Sequence, residues 1–111
     1  MPTRKWKLRI EDILEAIDDI AHFTRGMSFD AFSADKKTVK AVLYSIAVIG
    51  EAARQVPAEV QKQNPEIPWR EMADIRNVIV HEYFGIDLDI LWAAITVELP
   101  PLVSSLRRML K

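Results

Sequence analysis

Apolar residues return along this chain at steps of three and four, and that spacing is the strongest constraint on its fold. In the first segment Trp6, Ile10, Ile13, Leu14, Ile17, Ile20 and Ala21 keep to it. On a helix of 3.6 residues per turn these positions make one buried stripe. Gly26 is placed to stop that helix, because glycine accepts the left-handed backbone that helix ends often need. Residues 27–38, MSFDAFSADKKT, read as a connection into a second helix, with Ser33 or Asp35 as its cap. Val39, Val42, Leu43, Ile46, Ala47, Ile49, Ala53 and Val56 then give that helix a wide apolar face. Gly50 lies within it. A helical glycine costs roughly 1 kcal/mol against alanine, and the expected gain is close approach of another helix. Glu51 beside it reads as a surface acid.

Pro57 interrupts, AEVQKQN at 58–64 is at most a short helix, and PEIPW at 65–69 is a turn. Pro68 suits the first turn of the next helix, where its missing N–H does no harm. That helix is expected from about Trp69 to Tyr83, with Gly85 ending it. Asp87 caps a last helix through Leu88, Leu91, Trp92, Ile95, Leu99, Leu102, Val103, Leu106 and Leu110, which Pro100 and Pro101 must kink or divide. No stretch alternates as a strand would. The expectation is an all-α single domain over residues 1–111: an up-and-down bundle of four main helices plus a short extra helix.

Half of the 111 residues are hydrophobic. A chain this short leaves much of its surface exposed when folded, so part of that apolar excess is expected at an oligomer interface. The absence of cysteine excludes disulfides, thiolate zinc sites and cysteine nucleophiles, and fits a reducing cytoplasm. No secretory signal is read at the start, where Glu11 and Asp12 interrupt the apolar region. AVLYSIAVIG at 41–50 is too short to span a bilayer. The net charge of −1 is not that of a protein holding nucleic acid by general electrostatics; any such contact must be local. Arg4, Lys5, Lys7 and Arg9 open the chain, and Arg107, Arg108 and Lys111 close it. The plain reading of both runs is solvated helix ends.

The stretch RNVIVHEYFGID, 76–87, holds one of the two histidines. On a continuous helix Arg76 and Tyr83, seven apart, nearly superpose; Asn77 and His81, four apart, share a neighbouring face. Ile75, Val78 and Ile79 point toward a core. Arg76 and His81, however, stand about 140° apart on that wheel. They converge only if the helix end distorts near Gly85 or if a second copy completes the site across a two-fold axis. Arginine matches a phosphate with a planar fork, histidine transfers protons near neutral pH, and asparagine can orient either group. Together they can cleave RNA without metal. One histidine beside one glutamate gives too few ligands for a metal site, and no cofactor is implied. The opposing reading is structural: Arg, Asn and His satisfying free carbonyls at a helix end, with Tyr83 a buried aromatic. His22 has no comparable partners and reads as structural or solvated.

These residues resemble the Arg-x4-His-x-Tyr motif of HepT-like HEPN proteins. YSIAVIGEAARQVP at 44–57, IPWREMADIRNVIVHEYFGID at 67–87 and LWAAITVELPPL at 91–102 resemble the family's segments in order. The resemblance implies an all-helical homodimer with the motif helices at the dimer cleft. It implies a metal-independent endoribonuclease, the toxin of a type VII-like toxin–antitoxin pair. The implied partner is a minimal nucleotidyltransferase antitoxin that transfers AMP from ATP to the motif tyrosine. By matching position Arg76 and His81 are the catalytic pair, Asn77 supports them, and Tyr83 is the residue modified. The alternative is a non-catalytic helical module that binds a nucleotide or presents Tyr83 to a partner. A third possibility is a purely structural adaptor.

Overall fold

The first apolar stripe becomes α1, Pro2–Phe23, which buries Ile10, Ile13, Ala16, Ile17 and Ile20. The computed structural model describes the backbone of residues 2–81 and 85–111, and the side chains of residues 5–79 and 85–111. Gly26 follows α1 with φ 77°, the left-handed turn its lack of a Cβ permits. A short helix, α2 (Phe29–Ala34), is capped by Ser28, whose Oγ accepts from the Ala31 N–H at 3.1 Å. It buries Phe32 completely, with its ring 5.0 Å from that of Trp92.

The second long helix, α3 (Lys36–Arg54), returns antiparallel to α1, with Arg9 near its end donating to Gln55. Asp35 caps it: Oδ1 accepts from the Thr38 N–H at 3.1 Å and Oδ2 from the Thr38 hydroxyl at 2.8 Å. Ser33, the other cap candidate, instead donates to the Phe29 carbonyl. The Thr38 hydroxyl, joined by its N–H, holds the Asp35 carboxyl below its ordinary pKa. A carboxylate depressed in the folded state contributes its full stabilisation above its unfolded pKa. It loses that contribution as pH falls through the folded pKa. Asp35→Ala is therefore expected to lower the melting temperature at pH 7 and to lose less further stability on acidification than the wild type. Circular dichroism melts at pH 7 and in acid read both effects.

A further short helix, α4 (Ala58–Gln63), fills the connection after Pro57. Two short helices, α2 and α4, thus join the four long rods where one was expected. The third rod, α5 (Trp69–Ile79), starts after Pro68, whose carbonyl accepts from Met72 N, and the Trp69 indole anchors it to the Asn64 carbonyl. At Gly50 the backbones of α3 and α5 meet. A Cβ there would lie 3.2 Å from the Ala73 carbonyl oxygen, so the expected close approach is present.

Asp87 caps the fourth rod, accepting from Ile90 N at 3.1 Å. This rod begins as α6 (Leu88–Ala93), widens into a π-helical turn (Ala94–Glu98) and continues as α7 (Leu102–Met109). Pro100 and Pro101 have no N–H to give. The preceding turn instead closes with a wider bond from Leu99 N to the Ala94 carbonyl, and the rod bends by 58°. The Phe32–Trp92 contact puts the start of this rod beside α2, and Ile95, Leu99 and Val103 share a cavity with Ala21, Ile17 and Leu14, so α7 runs antiparallel to α1. The core lies between the four rods. No single helix among the described residues is long and apolar enough to cross a membrane.

Candidate active site

The face of α5 toward the core carries Trp69, Met72 and Ile79, with Ile75 partly buried. Arg76 stands four residues after Met72 and three before Ile79, within about 60° of each on a helix. That position belongs beside the buried face, yet Arg76 is exposed, and so are Asn77 and Val78. In this last turn Ile79 is buried, while the described residues leave Arg76, Asn77 and Val78 uncovered. Val78, expected in the core, is 58% exposed. It borders an apolar groove of about 380 Å³ formed by Met72, Ile75 and Ile79 of α5 with Ile90, Ala94 and Leu99 of the fourth rod. Arg70, Glu71, Asp74 and Glu98 rim it. Sequence periodicity missed the groove because its floor, Met72, Ile79, Ala94 and Leu99, is also a core stripe; only Val78 and Ile90 at its rim are exposed.

The expected helix from Trp69 to Tyr83 is shorter in the structure. It ends at Ile79, and Val80–His81 (β1) pair antiparallel with Gly85–Ile86 (β2): Val80 opposite Ile86, and His81 opposite Gly85. The cause is local. Val78, Ile79 and Val80 are a β-branched run, stiff at χ1 and suited to extended backbone. The hairpin also supplies partners for a helix end, since Asp87 N donates to the Ile79 carbonyl at 2.9 Å. Gly85 thus sits in a ladder and does not end a helix.

This changes the geometry of the motif. Arg76 and Asn77 ride the last helical turn, while the backbone of His81 stands in a strand. The 140° separation required an unbroken helix and does not apply, and the overlay of Tyr83 on Arg76 required the same continuity. The imidazole of His81, and Tyr83 as a whole, lie outside the described residues. His22 is exposed, with Nδ1 4.0 Å from Asp18, as its reading as a solvated residue expected.

An all-helical bundle with an exposed Arg–Asn turn leading into a His-bearing hairpin defines the class. Residues 13–109 match the family described as "Ribonuclease HepT-like". Two similar proteins are of nearly the same length. "Probable ribonuclease HepT" of Thermococcus cleftensis is 42% identical over 108 residues, covering 97% of this chain and 98% of that one. "Putative RNase MJ0127" of Methanocaldococcus jannaschii is 39% identical over 111 residues, 100% of this chain and 92% of that one. No solved structure matches. The chain belongs to the HepT-like ribonuclease family.

Proposed function

We propose that this protein is a metal-independent endoribonuclease, the toxin of a toxin–antitoxin pair, acting in the cytoplasm as a homodimer. Membership of the HepT-like family, matched over residues 13–109, with Arg76, His81 and Tyr83 at the motif spacing, carries this reading. The exposure of Arg76 and Asn77 supports it, since a side chain that must meet phosphate cannot be spent on the core. The uncovered groove beside them, with Val78 and Ile90 exposed, supports a second copy seated along α5.

The chemistry follows from the residue types. His81 accepts the proton of a ribose 2′-hydroxyl, and the 2′-oxygen attacks the adjacent phosphorus. Arg76 stabilises the negative charge that builds on the phosphoryl oxygens. The bond from phosphorus to the 5′-oxygen breaks, and that oxygen takes a proton from an imidazolium. The products are a 2′,3′-cyclic phosphate and a 5′-hydroxyl. Asn77 orients the phosphate or the imidazole. Tyr83, two residues beyond His81, is the site at which a minimal nucleotidyltransferase places AMP, and a bulky anion there obstructs the phosphate site.

Induced expression in bacteria, with and without a cognate nucleotidyltransferase, tests the whole reading. Growth arrest is expected from the wild type alone, relieved by the partner together with a mass gain of one adenylyl group. Tyr83→Phe is expected to stay toxic in the partner's presence and to gain no mass. Adenylylation of a protein that cleaves no RNA under any condition would instead favour the non-catalytic partner-binding module.

A further inference from the structure

Charge in this chain is segregated. Seven of its fifteen lysines and arginines lie in the first nine and last five residues, and no acid occurs at 2–10 or 102–111. The intervening residues set the other eight against all sixteen carboxylates, a net −8 against +7 at the ends. Taken separately, the two runs are ordinary solvated helix ends. The fold draws them toward each other, because α7 runs antiparallel along α1: Arg107 stands beside Leu14 and Asp18, and Arg108 and Lys111 follow toward the end that carries Lys5 and Lys7.

Lys5, Arg107, Arg108 and Lys111 are exposed. Among the described residues only Arg9 of this group is held by a carboxylate, with Nε 3.1 Å from Asp12. The helix dipole explains half of the arrangement. Arg107 and Arg108 in the last turn of α7 face its negative end. Lys5 sits at the end of the first turn of α1, which holds no acid, where the dipole is positive and cations are disfavoured, and Lys7 follows in the second turn. Packing this pole against a second cationic end adds self-repulsion. Lys7 gains the face of the Trp6 ring, 5.7 Å from its Nζ; a bound polyanion would offset the remaining repulsion.

We propose that this pole is a second binding surface for the RNA backbone, separate from the motif; the inference rests on the ribonuclease reading. The pole lies on α1 and α7, whereas Arg76 lies on α5, which packs against α3 rather than α1. An RNA engaged at the motif must extend across the bundle to reach it. The pole therefore serves long substrates and leaves the reacting phosphate untouched.

The test compares the full chain with the triple variant Arg107→Ala, Arg108→Ala, Lys111→Ala, titrating a labelled single-stranded RNA at several salt concentrations. Each phosphate contact on a single strand contributes about 0.7 to the slope of log K against log salt. The triple variant is expected to flatten that slope by about two. Arg107→Lys with Arg108→Lys, which keeps the charge, retains it, and dinucleotide cleavage is unchanged in both. Equal slopes for wild type and triple variant overturn the proposal. So does a triple variant that loses binding to phosphatidylserine vesicles while its RNA slope stays put. A wild type that cleaves no RNA defeats the ribonuclease reading instead, and the slope comparison still decides whether the pole binds RNA.

Discussion

Replacing His81 with alanine is expected to cut RNA cleavage in EDTA by about a hundred- to ten-thousandfold, the range a positioned general acid–base supplies. The fold should survive. His81 stands in a two-residue strand beyond the end of α5, and the buried cluster among the described residues is assembled by the four rods. Circular dichroism and melting temperature near those of the wild type are therefore part of the prediction. Retained cleavage would remove the imidazole from the mechanism. Cleavage lost together with the fold would show that the residue is structural.

Gly50→Leu is expected to destabilise the protein by about 1–3 kcal/mol, the usual cost of forcing extra volume into a packed core. In a domain of this size that lowers the melting temperature by about 4 °C or more per kcal/mol. The side chain has nowhere to go: its Cβ would already stand 3.2 Å from the Ala73 carbonyl oxygen and 3.4 Å from that of Met72. Both obstacles are helix backbone. Relief requires α5 to move off α3, which also breaks the 2.7 Å bond from Arg54 Nη2 to the same Ala73 carbonyl. Gly50→Ala should be milder, because alanine recovers about 1 kcal/mol of helix propensity against a smaller clash. Since α5 carries Arg76 and Asn77, the leucine variant should also lose RNA cleavage at temperatures where it remains folded. A melting temperature unchanged in Gly50→Leu would mean that the close approach does not hold α5 in place.

Most of the bundle was legible in the sequence because its signals are local. The stripe of Ile10, Ile13, Ile17 and Ile20 has only one way to be buried, Asp35 and Asp87 have backbone N–H groups within reach, and two consecutive prolines must bend a helix. The end of α5 is not legible in the same way, because it depends on pairing with a later segment. Val78, Ile79 and Val80 fit a helical stripe and a strand equally well, and helix gives way to strand only at Val80, which pairs with Ile86. Val78 was assigned to the core because periodicity reports which residues share a face, not whether anything covers that face. The residue types of the candidate site could be read directly. How Arg76 and His81 stand to each other could not, because it depends on where the helix stops. The joining of the two cationic ends was hidden likewise, since it requires the antiparallel course of α7 along α1.

The ends left on the cleaved RNA test the account most directly. Attack by the 2′-hydroxyl, managed by His81 and Arg76, must leave a 2′,3′-cyclic phosphate on one fragment and a 5′-hydroxyl on the other. Mass spectrometry of fragments produced in EDTA is predicted to find those ends. Fragments bearing 3′-hydroxyl and 5′-phosphate ends, formed only when a divalent metal is supplied, would contradict the account.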